Sequence, residues 1–168
     1  MNTQSDEANL DEPPLDPEIP DEAPEEIPEP DPEIPDQIPD GTPDWIPARG
    51  IQLRKAGVQF DAVRVDGDEG RALADRLARM TGGIPGPVVE EANGRRAVYF
   101  LVPVGSTSYR SWPDGVTRLT AGPNRVSYIP VPALNGLTWP LTWRYRPTTR
   151  DHLVHALLLR GALHPEEP

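Results

Sequence analysis

Fifteen of the sixteen basic residues in this 168-residue chain are arginines, and several lie near aromatic residues. Arg95, Arg96, Arg110, Arg118 and Arg125 fall on a hairpin signal and on the runs that follow it. Arg144, Arg146 and Arg150 cluster near the last apolar run, with Trp143 and Tyr145 interleaved. Guanidinium groups pair with phosphates and aromatic faces stack on bases, so this mixture suits single-stranded nucleic acid. A second reading is as simple. Arginine is the default wet-face residue of a high-GC bacterial genome, with Trp139, Trp143 and Tyr99 then belonging to the core.

Other chemistry is thin. His152 and His155 stand three apart, near enough on a helix to share a metal, but no carboxylate or third histidine lies at a matching spacing. They read as ordinary surface or core histidines. Lys55 is the only lysine, and no Gly-Lys-Ser/Thr follows a glycine loop. Gly82-Gly83-Ile84-Pro85-Gly86 is glycine-rich, but its proline removes an amide donor and the run reads as a helix stop. Ser106 has no Gly-x-Ser-x-Gly context. The absence of cysteine excludes a disulfide scaffold, thiolate metal centres and a thiol nucleophile.

The elements that must position these residues follow from periodicity. Val58–Val65 alternates after Gln59 and predicts a strand. Residues 69–80 predict a helix with Leu73, Leu77 and Met80 on one buried stripe, Arg71, Asp75, Arg76 and Arg79 on the wet side, and Gly82-Gly83 as its end. Pro87–Glu91 and Arg96–Val102 flank Asn93-Gly94, a hairpin signal. Val116–Leu119, Arg125–Ile129 and Leu137–Tyr145 predict three further strands, with Pro140 confining the last to an edge or a bulge. Thr149 or Asp151 caps a final helix to Arg160, packing through Leu153, Val154, Leu157 and Leu158. This order predicts an α+β domain with a mainly antiparallel sheet and two helices.

That domain is expected over residues 48–168. Before it, residues 1–47 hold 16 of the 27 acidic residues, 12 of the 23 prolines and no lysine or arginine. The remainder therefore carries a net charge of +5, small for a nucleic-acid surface, although the whole chain is at −11. Ile-Pro pairs recur irregularly at Ile19, Ile27, Ile34, Ile38 and Ile46, the mark of low complexity rather than a solenoid. With like charges throughout and little to bury, this acidic Pro-rich tail is expected to be disordered. It would serve as a solubilising arm, or as a phosphate mimic facing a basic surface. No secretory signal opens the chain, and the longest apolar stretch, Leu153–Leu159, is too short to span a bilayer. A cytoplasmic protein without membrane contact is expected.

Residues 60–132 resemble the second half of the Prim-Pol domain of bifunctional DNA primase/polymerases, of the archaeo-eukaryotic primase superfamily. They are especially similar to short primase/polymerase-like proteins of actinobacteria. The resemblance is carried by Ala62-Val63-Arg64-Val65-Asp66 and its Leu73/Leu77 helix, then Gly94-Arg95-Arg96-Ala97-Val98-Tyr99-Phe100. It continues through Gly115-Val116-Thr117 and Val126 to Ile129-Pro130-Val131-Pro132. It implies a metal-carboxylate position at Asp66. The family's first metal acid falls on Arg64, its nucleotide-contacting histidine on Ala97 and its third acid on Thr117. One carboxylate beside a guanidinium cannot hold the cations of two-metal transfer.

The expectation is thus a non-catalytic accessory or regulatory binding protein with a degenerate active site, no cofactor and no resident metal. Its partner would be single-stranded nucleic acid, a replication protein or another basic protein. Two alternatives stay open: a protein-interaction module acting through the tail, and a nucleotidyltransferase whose metal site is rebuilt around Asp66, Asp68 and Glu69.

Overall fold

A computed structural model describes residues 41–164. The chain divides into two units, residues 1–37 and 38–168, and every described residue belongs to the second. The expectations for the acidic tail up to residue 40 lie outside the described residues. Its proposed end at residue 47 does not coincide with the edge of the fold. Trp45 and Ile46 are buried, and the Trp45 ring meets Phe60 edge-on at 4.9 Å between centroids. The Arg54 guanidinium donates to the Trp45 carbonyl at 2.8 Å and fixes that entry. The proline-rich composition had masked two core side chains.

The described residues form seven strands and two helices, all strand pairs antiparallel, which is the α+β class expected from the pattern. In chain order they are β1 (Ile51–Lys55), β2 (Asp61–Val65), α1 (Gly67–Met80), β3 (Val88–Glu91) and β4 (Val98–Val102). Then come β5 (Val116–Leu119), β6 (Tyr128–Pro132), β7 (Leu141–Tyr145) and α2 (Ala156–Leu163). A five-stranded sheet runs β5-β2-β4-β3-β7, while β1 and β6 pair as a separate ribbon.

The alternation along β2 and β4 sorts the core into two layers. Val63, Val65, Val98, Phe100 and Val102 meet Leu73, Leu77 and Leu159 from the helices and Val154 from the segment before α2. Ala62 and Leu101, on the other face, meet Trp45, Phe60, Ile129 and Val131 from the entry segment and the ribbon. The sheet is therefore covered on both sides. Gly70 lets α1 lie close: a Cβ there would stand 2.7 Å from the Val65 carbonyl oxygen and 2.9 Å from Val98 Cγ2.

Several boundaries differ from the sequence expectation, each for a local reason. β1 has no counterpart among the expected strands: Ile51 and Leu53 are exposed, so no buried stripe announces it. β2 starts at Asp61 because Gly57, at φ 84°, turns the chain, its amide bonded to the Phe60 carbonyl. The β3–β4 hairpin closes through Glu91 and Ala97, wider than a two-residue Asn-Gly turn, since Arg96 donates its amide back to the Asn93 carbonyl. β6 lies three residues beyond the expected run, and β7 begins only after the cis Trp139–Pro140 bond. Met80 is half exposed rather than part of the α1 stripe. α2 starts at Ala156, not near residue 150, and buries Ala156, Leu159 and Ala162 while Leu157 is 58% exposed. Val154 is buried ahead of the helix, its amide bonded to the Leu101 carbonyl at 2.7 Å. Gly86 permits that approach: at φ 107°, a Cβ on it would stand 2.7 Å from the Val154 nitrogen.

Candidate functional site

The positions singled out by the Prim-Pol resemblance converge at the end of β2. Arg64 pairs across the sheet with Thr117 on β5 and Tyr99 on β4, and its guanidinium lies 5.9 Å from the Tyr99 ring centroid. Asp66 is the N-cap residue of α1 and makes no side-chain cap bond. Its carboxylate instead stands 3.5 Å from Arg64 Nη2 and 3.6 Å from Arg95 Nη1. Ala97 is wholly buried beside Val89, Tyr99 and Leu141. Burial, together with the Glu91 carboxylate that accepts its hydroxyl at 3.0 Å, pushes the Tyr99 phenol above its ordinary pKa, against the opposing pull of Arg64. Asp68 pairs with Arg71 at 3.5 Å and, with Glu69, occupies the first turn of α1, where carboxylates complement the helix dipole. No group of three His, Asp or Glu side chains that could hold a metal occurs among the described residues. His152 lies outside α2 and bonds Thr148, so the two histidines do not share a helix.

The arginines named from sequence separate into distinct settings. Arg144 is committed to the fold. It donates to Asp75 at 2.8 Å and to Glu90 at 3.0 Å, Tyr145 also donates to Asp75, and Arg71 reaches Glu90 from the same side. This network ties α1 to β3 and β7, so Arg144 is a structural cation rather than an open phosphate contact. Arg95 makes an exposed ion pair with Asp66 at 3.6 Å. Arg96 is exposed in the hairpin loop, and Arg146 lines a pocket with Thr42, Leu134 and Thr148. Arg150 pairs with Asp44 at 2.9 Å.

Arg110, Arg118 and Arg125 do come together, lining one polar pocket of about 380 Å³ with Ser111, Trp112 and Thr117. Arg118 is delivered by β5, Arg125 by the turn that follows, and Arg110 by the loop between β4 and β5. That loop is held at its root: the buried Asp61 carboxylate accepts the Gly105 amide at 2.8 Å, and Ser106 bonds Pro103 through amide and hydroxyl. Further on, the Thr107 carbonyl accepts from both Trp112 Nε1 and Arg118 Nη1 at 3.0 Å. Arg160 of α2 donates to the Ser111 carbonyl at 3.0 Å.

A second, apolar groove of about 300 Å³ adjoins this pocket and shares Arg110 and Trp112 with it. Pro103, Thr107, Tyr109, Leu157 and Arg160 contribute to its walls. Tyr109 is 88% exposed. Neither lining contains an acidic residue, and Arg110, Arg118, Arg125 and Arg160 form no ion pair with any described carboxylate. Sequence reasoning named three of these four arginines but not Arg160 or Tyr109. The order of residues gives no hint that α2 packs beside the β4–β5 loop.

Comparison with protein-family models, with curated proteins and with solved structures returns no match. No helix among the described residues is long and apolar enough to cross a membrane.

Proposed function

We propose that this chain is a non-catalytic binding protein whose domain holds single-stranded nucleic acid at the β4–β5 loop, in the manner of an accessory or regulatory factor. On this reading the Prim-Pol resemblance is ancestry, and Asp66 is a relic of a metal site. The observation that carries the reading is the set of four arginines around two adjoining pockets, with no described carboxylate neutralising them. Five other arginines are ion-paired: Arg64 and Arg95 with Asp66, Arg71 and Arg144 with Asp68, Asp75 or Glu90, and Arg150 with Asp44. Clustered guanidiniums without a carboxylate partner attract a chain of phosphates, and the aromatic wall beside them offers stacking.

Nucleotidyl transfer has no support in the site. Asp66 already faces two guanidiniums, and a carboxylate so engaged is a poor ligand for a hard cation. The proposal is tested by fluorescence anisotropy of a labelled single-stranded DNA with the full chain and with Arg110→Glu/Arg125→Glu. Both side chains are exposed, so the fold is retained. Affinity is expected to fall at least tenfold in the variant. Equal binding by the two proteins contradicts the site.

A further inference from the structure

We infer that the apolar groove between the β4–β5 loop and α2 is a pocket for one unstacked base of the bound strand, beside arginines that hold the adjoining phosphates. The inference rests on the single-strand reading and adds which part of the strand enters which pocket. Three observations meet here. The two pockets share Arg110 and Trp112, so a ligand complementary to both is anionic at one end and mainly apolar at the other. A nucleotide within a strand has that form. The groove, about 300 Å³, lies at the small end of ligand pockets and has room for a single ring system. Trp112 and the exposed Tyr109 supply aromatic faces, and Leu157 adds apolar area from α2.

The third observation concerns Thr107. It lines the groove and is 1% exposed, yet its Oγ1 is buried without a hydrogen-bond partner. A buried hydroxyl left unpaired is costly and is usually matched by protein or a bound molecule. A base carries donors and acceptors on its edge and can pair with Oγ1 once a small shift of the lining opens that hydroxyl, closed to solvent here, to the groove, as a purely aliphatic ligand cannot. The same residue's carbonyl holds Trp112 and Arg118, so Thr107 links the stacking wall to the phosphate-facing arginine.

The test compares two labelled single strands of about eight units, one of deoxythymidine and one of abasic sugar-phosphate, which carry equal charge. The full chain is expected to bind the base-bearing strand about tenfold more tightly, with similar salt dependence for both. Tyr109→Ala and Thr107→Val are expected to narrow that ratio severalfold while leaving the salt dependence unchanged. Thr107→Val removes only the unpaired hydroxyl, so its melting temperature should hold or rise. Arg110→Glu/Arg125→Glu should weaken both strands alike. Equal affinity for the two strands overturns the base pocket while leaving the phosphate site standing, as does a ratio untouched by Tyr109→Ala and Thr107→Val. Failure of both strands to bind overturns the pocket and the single-strand reading together.

Discussion

Asp75 and Arg144 show how one cation can look available in sequence and be committed in the fold. Desolvation pushes the Asp75 pKa up, but the hydrogen bonds and charge of Arg144, the Tyr145 hydroxyl and the Arg79 charge outweigh it and hold the carboxyl below its ordinary value of 3.8. A depressed folded-state pKa contributes stability above the unfolded value and loses it as pH falls through the folded value. The stability gap between the wild-type protein and Asp75→Asn should therefore be full at neutral pH and shrink below about pH 4, measured by urea unfolding. Arg144→Ala should cost about 2 kcal/mol, because it removes charged hydrogen bonds from Asp75 and Glu90. Its affinity for single-stranded DNA should stay at the wild-type level. Arg110→Ala should do the reverse, leaving stability unchanged and weakening the complex. Nothing in the local sequence separates these two arginines. The separation is made by Asp75, 69 positions from Arg144 along the chain.

At the scale of elements, α2 is the sharpest case. Leu153, Val154, Leu157 and Leu158 were expected on its inner face, but the helix begins late and Leu159 is the large side chain it fully buries. Leu159→Ala should cost about 2–5 kcal/mol and Leu157→Ala less than about 0.5, a contrast that thermal melting resolves. The close packing of α1 makes a second prediction: Gly70→Ala should destabilise by about 1–3 kcal/mol, because its Cβ meets Val65 backbone rather than a side chain that can move aside. Elements with strong internal signals were legible. α1, with its acidic first turn and Gly82-Gly83 end, lay within two residues of expectation, and β5 fell on the expected residues. β1 was not legible because its side chains are mostly exposed, and α2 was misplaced because an apolar run has no preferred phase until packing chooses one.

At the scale of the whole molecule, the candidate site depends on contacts far apart in sequence. Arg110, Arg118 and Arg125 were readable as arginines, but their convergence required β5 at the sheet edge and a loop pinned by Asp61. Arg160 joins them only because α2 returns to the same loop. The domain also reaches further toward the N-terminus than its charge pattern implies. Trp45→Ala should cost about 3–5 kcal/mol, as for a buried tryptophan, and a chain starting at residue 48 should be less stable than one starting at residue 41. The central claim, a phosphate-holding surface built from arginines with no described carboxylate partner, is tested most directly by the salt dependence of single-stranded DNA binding to the full chain. The logarithm of affinity plotted against the logarithm of salt concentration should have a slope shallower by about 1.4 in Arg110→Glu/Arg125→Glu, two phosphate contacts at about 0.7 each. An unchanged slope, or no salt-sensitive binding by the wild-type chain, would contradict it.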